Sequence, residues 1–328
     1  MDTGQKLTEQ ELTKLEKRIF AVYQEAYNGL DATIREYFSK FSERDKEMKA
    51  QLDAGKITEE HYRQWRIAQI GRGKRFEALR NQVAERMTNA NATAVAYVND
   101  ATPGIYSLNR NFAAYTIEQV AGDVGFDIWD EQTVKRLISE QPELMPYYPE
   151  KRALNRGIDL AYGKKQITAS VTSSILQGRS IKGMADDLQS RITTMNRDSA
   201  IRTARTAVTG AQNAGRLDSY YAAEKMGIKC RKQWMATLDG RTRHSHAMLD
   251  GEIVDNDKKF SNGCRFPGDP NGPPSEIYNC RCTLVSEIEG IDTSGGKRRV
   301  RNQATGRNEL IENMSYAEWA GWKKKNGR

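Results

Sequence analysis

Apolar residues recur every three or four positions from Leu12 to Phe41, and this pattern constrains the fold more than any other feature of the chain. The members of the pattern are Leu12, Leu15, Ile19, Val22, Ala26, Leu30, Ile34, Tyr37 and Phe41. This spacing places the side chains on one face of a long α-helix. The segment Thr8–Glu11 has the sequence of a capping box, which predicts that the helix begins there.

Two further helices are predicted before residue 100. Gly55 breaks the first pattern, and Thr58 is placed to cap a second helix that runs through Trp65. The third apolar stripe follows Gly73 and consists of Phe76, Leu79, Val83, Met87, Ala90, Ala94 and Val98. We interpret these stripes as hydrophobic core, and we predict a turn around Pro103 because proline lacks the donor that a helix interior needs.

The middle of the chain contains an extended connector and then more helix. Pro142, Pro146 and Pro149 predict the connector. Beyond it, apolar residues from Ile167 to Leu176 indicate a helix closed by Gly178. Helical spacing resumes after Ser180 and continues to Gly227, a suitable C-cap.

The composition changes after Gly227, because residues 228–235 resemble a strand and Gly, Pro, Asp and Asn become frequent. We therefore predict a mainly α N-terminal region of long amphipathic helices, followed by a small, loop-rich α/β domain and a basic tail. The expected boundaries are 1–141 for the helical N-terminal region, 142–227 for the connector and helical segment, 228–290 for the α/β domain and 291–328 for the tail.

Composition excludes several classes of protein. Only 38% of the 328 residues are hydrophobic and the mean hydropathy is −0.76, values that favour helices with wide solvated faces. No apolar run is long enough for a membrane span, and the N-terminus lacks an apolar signal core. The four cysteines all lie at or after Cys230, so we expect a reducing compartment rather than a disulfide scaffold.

The net charge is +8, and much of it lies in the tail, where nine Lys or Arg residues face four Asp or Glu residues from 291 to 328. The basic runs are Lys297, Arg298, Arg299 and Arg301, and then Lys323, Lys324 and Lys325. Such runs can bind double-stranded DNA through its phosphates without reading sequence. A solvated tail that contacts nothing specific is an equally good interpretation.

Cysteine and histidine side chains suggest a metal site in the small domain. Thiolate and imidazole ligands suit zinc, and His246, Cys264, Cys280 and Cys282 would complete a tetrahedron. The Cys-x-Cys spacing is tighter than that of common zinc knuckles. The alternatives are buried free cysteines with surface histidines, or a pairing of Cys264 that forms only under oxidation.

A catalytic interpretation of the same region has less support. His246 near Asp239 or Asp250 would serve as a general base, and a bound metal would make a nuclease conceivable. The convergent carboxylates of a two-metal nuclease are not identifiable, and the chain has neither a Walker loop nor a GxGxxG motif. We therefore expect no enzyme activity and assign no catalytic residue.

The order of motifs in the C-terminal half resembles the Mu F-like family of tailed-phage head-morphogenesis proteins. Helical motifs come first, with Arg202–Thr206 and Asn213–Arg216, and then a loop-rich set that ends with Asn-Cys-Arg-Cys. The matching residues to which the resemblance assigns structural roles are Arg205, Thr206, Trp234, Asp239, Arg241, Thr242, His246, Asp250, Gly251, Asn279, Cys280, Arg281 and Cys282. The matching stretch covers roughly 100 residues, and its motifs are specific only together.

The chain departs from the family pattern at Ala207, Arg243, His246 and Tyr278. Many members have a Glu at the first of these positions, a Cys pair at the next two, and a His-Pro just before the Asn-Cys-Arg-Cys motif. The loss of these ligands weakens the case for a complete zinc site and suggests that Trp234, Leu249, Phe260 and Phe266 hold the fold.

The resemblance implies a structural minor head protein of a tailed bacteriophage, with a role in head morphogenesis and in DNA packaging, retention or ejection. It further implies a place in the virion, in the capsid interior or at the portal vertex. The implied partners are the portal protein, the major capsid or scaffolding protein, and phage DNA. Assembly in the bacterial cytoplasm agrees with the absence of a signal sequence. The alternative is a phage-delivered enzyme, a metal-dependent nuclease or toxin-like effector, that uses the His246, Cys280 and Cys282 region.

Overall fold

The computed structural model describes residues 2–140, 160–237, 241–288, 297–301, 308–312 and 321. The described chain before residue 230 is almost entirely helical, which confirms the predicted mainly α region. Its helices are α1 (Thr3–Ser39), α2 (Ser42–Asp53), α3 (Glu59–Ile70), α4 (Gly73–Ala121), α5 (Glu131–Glu140), α6 (Leu160–Leu176) and α7 (Ile181–Lys225). The predicted connector at 141–149 lies outside the described residues.

Helix α1 begins earlier than its sequence predicts. Asp2 accepts a hydrogen bond from the backbone N–H of Gln5 at 2.8 Å, and the Gln5 side chain accepts the N–H of Asp2 at 3.0 Å. These reciprocal bonds form a capping box one turn and a half before the predicted one. Thr8 is instead buried inside the helix, where its hydroxyl donates to the carbonyl of Gly4, so the prediction of a start at Thr8 was wrong.

The helix breaks at residues 54–58 and at 177–180 occur as predicted. Thr58 caps α3 by accepting the backbone N–H of His61 at 3.1 Å. Gly178 adopts a positive φ of 68° after α6, and Ser180 accepts the N–H of Gly183 at the start of α7. Gly227, with a φ of 85°, follows the end of α7.

The predicted turn at Pro103 was wrong, because α4 continues through this residue. Proline cannot donate to the carbonyl of Asn99, four residues earlier, but the hydroxyl of Thr102 donates to that carbonyl at 3.3 Å. Thr102 and Pro103 are also buried. Packing and one side-chain hydrogen bond therefore offset the missing backbone bond.

A three-stranded antiparallel sheet with the order β2–β1–β3 follows the helices. Its strands are β1 (Cys230–Met235), β2 (Ile253–Val254) and β3 (Thr283–Ile288). Trp234 lies opposite Leu284, and Lys232 lies opposite both Val254 and Ser286. Two short helices, α8 (His244–Met248) and α9 (Pro274–Ile277), lie in the loops between the strands. This region confirms the predicted small, loop-rich α/β domain.

The core of this small domain contains the apolar residues expected from the sequence. Trp234, Leu249, Phe260 and Phe266 are all at most 3% exposed. The Trp234 ring packs edge-on against Phe260, with ring centroids 5.1 Å apart. Aromatic burial of this kind stabilises a domain that has little regular structure.

The chain divides into two compact units that do not follow the sequence order. One unit contains the described residues of Met1–Leu15, Val98–Pro149 and Arg202–Arg328, and the other those of Glu16–Tyr97 and Glu150–Ile201. The second unit is a helical core in which Arg66, 2% exposed, pairs with Asp45 at 3.1 Å. The first unit holds the sheet, the four cysteines, His244 and His246.

Part of the predicted basic tail is a strand pair. The strands β4 (Lys297–Arg301) and β5 (Asn308–Glu312) are antiparallel, with Arg299 opposite Leu310. Lys323, Lys324 and Lys325 lie outside the described residues. Among the helices that the structure describes, none has the length and apolar composition needed to cross a membrane.

Candidate metal centre

Two loops of the small domain converge on one buried point. Cys280 and Cys282 lie just before β3, and in extended chain two such residues point to the same side. His246 approaches from α8, which begins directly after the loop that follows β1. Together these three residues form what we call the Cys2His cluster.

The ligand atoms of the Cys2His cluster are close together. His246 Nδ1 lies 3.7 Å from the sulfur of Cys280 and 3.4 Å from that of Cys282, and all three atoms lie within 4.8 Å of one another. The side chains of His246, Cys280 and Cys282 are 2%, 1% and 3% exposed. Of the residues that the structure describes, these are the ones grouped tightly enough to hold a metal ion.

The two thiols of the cluster have opposite pKa shifts. The pKa of Cys282 is lowered, because the Cys280 thiol donates to its sulfur and His246 adds a second polar contact, although burial opposes the charge. The pKa of Cys280 is raised by the same hydrogen bond and by burial. The arrangement therefore favours one thiolate beside one thiol when no cation is present.

Glu276 of α9 completes the surroundings of His246. One of its carboxylate oxygens lies 3.1 Å from His246 Nε2, on the side of the ring that faces away from the sulfurs. Ser245 donates to the same oxygen at 3.1 Å. The edge of the Trp234 ring packs against the imidazole, with centroids 5.4 Å apart. The ring of His246 thus contacts the Trp234 ring and the Glu276 carboxylate.

The other two cysteines lie apart from the cluster. Cys264 is fully buried, and its sulfur would lie 2.5 Å from a Cβ placed on Gly272. Cys230 is buried at the start of β1. Burial raises the pKa of each of these thiols to about 12, so both remain protonated and behave as small apolar core residues.

Polar residues on the buried face of α7 bind the segment that carries Cys280 and Cys282. Thr209 donates to the carbonyl of Cys280 at 2.8 Å, and Asn213 donates to that of Cys282 at 3.2 Å. Thr206 accepts the backbone N–H of Asn279, which has a positive φ of 53°. Asparagine tolerates this left-handed conformation better than most residues. The family motif on α7 therefore orients the Asn-Cys-Arg-Cys loop.

Arg216 extends this scaffold to the N-terminus. Its guanidinium makes two hydrogen bonds of 2.8 Å to the carboxylate of Asp2, and it also donates to the carbonyl of Leu284 at 2.9 Å. Asn109 of α4 accepts a further bond from it at 3.2 Å. One buried arginine thus joins α1, α4 and β3 inside the same unit.

The remaining motif residues of the β1–β2 region shape loops. Asp250 accepts the backbone N–H of Ala236 at 2.9 Å, and Gly251, with a φ of 83°, donates to the carbonyl of Trp234. Thr242 donates to the carbonyl of Thr237. Asp239 lies outside the described residues, and Arg205, Arg241 and Arg281 are exposed.

The loop at Pro267–Pro270 depends on two further contacts. A Cβ on Gly268 would lie 2.8 Å from the backbone nitrogen of Gly210, so only glycine allows this approach of the loop to α7. The buried Asp269 accepts the backbone N–H groups of Arg265 and Asn271. Gly268 and Asp269 therefore both have structural roles.

Lys232 is a buried cation in the sheet. Its ammonium group donates to the carbonyls of Asn256 and Lys258 at 2.9 and 2.6 Å. Burial lowers the pKa of Lys232 to about 8. The lysine fixes the loop after β2, and the sequence analysis did not identify it.

Sequence reasoning also missed Glu276 and the polar face of α7 as a group. Thr206, Thr209, Asn213 and Arg216 recur at spacings of three and four, and polar residues at the spacing of a buried helical face are the signal that was available. No comparable pattern marks Glu276.

The side chains of Lys297, Arg298, Arg299 and Arg301 lie outside what the structure describes, and their role in DNA binding stays a prediction.

Comparison with known proteins gives two kinds of match. The model of the family described as Phage Mu protein F like protein matches residues 165–285. The minor head protein GP7 of Bacillus phage SPP1 is 26% identical over 321 residues, which cover 95% of this chain and 94% of that protein. No solved structure matches the chain at a comparable level of significance.

Two partial matches were also found. An NAD(+)–arginine ADP-ribosyltransferase, EFV, from Enterococcus faecalis is 31% identical over 157 residues, or 47% of this chain. The uncharacterized protein YqbB of Bacillus subtilis is 31% identical over 189 residues, or 56% of this chain. The matched regions span only 31% of the transferase and 60% of YqbB.

Proposed function

Residues 165–285 belong to the Phage Mu protein F like family, and from this premise we propose that the chain is a structural minor head protein of a tailed bacteriophage. The observation that carries the proposal is the match to a minor head protein over nearly the full length of both chains. A shared small domain alone would not extend through the long N-terminal helices.

The contacts of the motif residues support a structural role. Thr206 and Asn213 make hydrogen bonds to the backbone of the small domain, and Arg216 makes a hydrogen bond to the carboxylate of Asp2. Trp234 and His246 are buried. Residues that bind a substrate need access to solvent, whereas residues that hold loops do not. The motif residues therefore maintain the fold of the small domain, as expected for an assembly protein.

We infer that the protein acts in head morphogenesis at the portal vertex of the virion, with the portal protein as its principal partner. Capsid or scaffolding protein is the secondary partner. Assembly takes place in the host cytoplasm. DNA packaging, retention or ejection is the process in which the basic tail takes part, through contacts with phosphates rather than with bases.

Co-expression with the portal protein of the same phage tests the partner assignment. Native mass spectrometry at moderate salt should detect a defined complex whose mass gives the number of copies. The major capsid protein and an unrelated portal protein serve as controls. Equal recovery with the unrelated portal, or no complex with any head component, would contradict the assignment.

Salt dependence tests the contact with DNA. A full-length variant with Lys297, Arg298, Arg299 and Arg301 changed to Gln should bind double-stranded DNA with a shallower dependence of log Kd on log salt. Each lost phosphate contact removes about 0.9 from the slope. A control variant in which the three basic residues of α2, Arg44, Lys46 and Lys49, are changed to Gln should keep the original slope. Identical slopes for all three proteins would reject the tail as the DNA contact.

The enzyme alternative has no support from the geometry of the cluster. His246, Cys280 and Cys282 are at most 3% exposed, so substrate has no access to their reactive atoms. The match to the transferase spans less than a third of that enzyme, and its named activity is not assigned to this chain. Nuclease assays with magnesium, manganese and zinc on the wild type and on His246→Ala should show no metal-dependent cleavage.

A further inference from the structure

We propose that the Cys2His cluster binds one zinc ion through three protein ligands: the sulfur of Cys280, the sulfur of Cys282 and Nδ1 of His246. The fourth position of the tetrahedron is filled by water. The ion joins α8, which carries His246, to the segment before β3, which carries Cys280 and Cys282. The proposal goes beyond the assembly function, which does not require a metal.

The distances within the cluster match those of a tetrahedral site. With Zn–S about 2.3 Å and Zn–N about 2.0 Å, a sulfur and a nitrogen ligand at the tetrahedral angle lie about 3.5 Å apart. The two nitrogen–sulfur distances are 3.7 and 3.4 Å. Both nitrogen–sulfur distances are therefore those expected around one zinc ion.

The surroundings of the ligands match those of a bound cation. Backbone N–H groups of Cys282 and Thr237 donate to the sulfurs of Cys280 and Cys282, and such bonds stabilise thiolates. The carboxylate of Glu276, 3.1 Å from His246 Nε2, leaves Nδ1 as the ligand atom. A carboxylate beside a metal-binding imidazole adds negative charge near the bound cation.

The chemistry of the donor set selects the ion. Two thiolates and one imidazole are soft to borderline ligands that suit zinc far better than magnesium or calcium. Zinc binds the thiolate form, so a thiol proton that remains on the cluster is released to solvent on binding. The cluster is buried, so the ion would act on stability rather than on a substrate.

Cys264 is excluded from this ligand set. Its sulfur does not belong to the group of atoms that lie within 4.8 Å of one another, although Cys264 is as buried as the ligands. It therefore provides a matched control, because Cys264→Ser and Cys280→Ser make the same chemical change in the same small domain.

Elemental analysis of the full-length protein, purified without chelator from medium that contains zinc, is the first test. We expect about one zinc per chain for the wild type and for Cys264→Ser, and a reduction of about tenfold for Cys280→Ser and Cys282→Ser. X-ray absorption of the wild type should show two sulfur and two nitrogen or oxygen neighbours. A third sulfur neighbour, or loss of zinc from Cys264→Ser, would overturn the three-ligand site.

A measurement without variants covers the case in which the substitutions prevent folding. Titration of the wild type with a mercurial thiol reagent, followed with a chromogenic zinc indicator, should release zinc in step with two thiols. Cobalt substitution should give the thiolate charge-transfer and visible bands of a tetrahedral site. Wild-type protein that holds less than about a tenth of an equivalent of zinc after refolding with the metal would reject the proposal.

Discussion

The side chain of Asn213 makes the hydrogen bond to the backbone of Leu284 that a neighbouring strand would otherwise make. Its Oδ1 accepts the backbone N–H of Leu284 at 2.8 Å, at the outer edge of β3. The amide nitrogen of the same side chain donates to the carbonyls of Pro267 and Cys282. A single buried asparagine on a helix therefore satisfies three backbone groups of the sheet region, and buried backbone groups without a partner are costly.

Replacement of Asn213 by Ala should lower the free energy of unfolding by about 3 kcal/mol, because it leaves several buried backbone groups without partners. Urea denaturation of both proteins measures the difference. Asn213→Asp keeps the acceptor for Leu284 but loses both donor bonds, so its effect should also be large. A cost below about 0.5 kcal/mol for Asn213→Ala would mean that water replaces the side chain.

The ion pair between Asp2 and Arg216 should contribute substantially to the stability of the first unit, although Asp2 lies near the N-terminus. The arginine side chain is 3% exposed and the aspartate 30%. Asp2→Asn leaves a buried guanidinium without its carboxylate and should cost about 2 kcal/mol. Asp31→Asn, which breaks an exposed pair with Arg35, is the matched control and should cost at most about 0.5 kcal/mol. Equal effects of the two substitutions would contradict the assignment.

The same ion pair predicts a loss of stability in acid. Burial opposes the charge of Asp2 and is the largest single influence, but the Arg216 hydrogen bonds and charge, together with the Gln5 N–H, lower the pKa of Asp2 below 3.8. A lowered carboxyl pKa stabilises the fold above the unfolded value and loses this effect as pH falls through the folded value. The difference in the free energy of unfolding between wild type and Asp2→Asn should therefore become smaller below about pH 4.

Lys232 predicts a gain of stability in alkali. The pKa of Lys232 is about 8 in the folded protein and 10.5 in the unfolded chain. Between these values the unfolded chain binds more protons, so stability rises with pH. The advantage of wild type over Lys232→Met should increase by up to about 1.4 kcal/mol per pH unit in this window. Other titrating groups are the same in both proteins, so their effects cancel in this comparison. A difference in the free energy of unfolding that stays constant from pH 8 to 10.5 would contradict the burial of the Lys232 charge.

Gly215 should be intolerant of a side chain. A Cβ at this position of α7 would lie against the carbonyl oxygen of Tyr106 in α4, well inside van der Waals contact, and 3.1 Å from the nitrogen of Arg110. Because the obstacle is backbone, Gly215→Ala must separate the two helices, and we expect a cost of about 2 kcal/mol or more.

Gly163 of α6 provides the matched control for Gly215. A Cβ there would make an ordinary contact of 3.7 Å with Ala84. Gly163→Ala should stabilise the protein by about 0.5–1 kcal/mol, because alanine loses less backbone entropy in a helix. Thermal unfolding of both variants should move the two midpoints in opposite directions. A shift in the same direction would show that α4 and α7 adjust freely.

The sequence by itself determined the helical class of the chain, the breaks at Gly55 and Gly178, and the change from long helices to a small, loop-rich region with strands after Gly227. These features depend on local periodicity, capping residues and glycine conformation, which neighbours in sequence decide. The sequence also identified His246, Cys280 and Cys282 as residues of interest, because thiol and imidazole groups are chemically distinctive.

Only the tertiary structure decided which of these residues meet. It set Cys264 apart, brought Glu276 to His246, and turned the polar face of α7 toward the loop of Cys280 and Cys282. It also carried α4 through Pro103. These outcomes depend on contacts between residues far apart in sequence. Burial and a few side-chain hydrogen bonds there outweigh local propensities of about 1–3 kcal/mol.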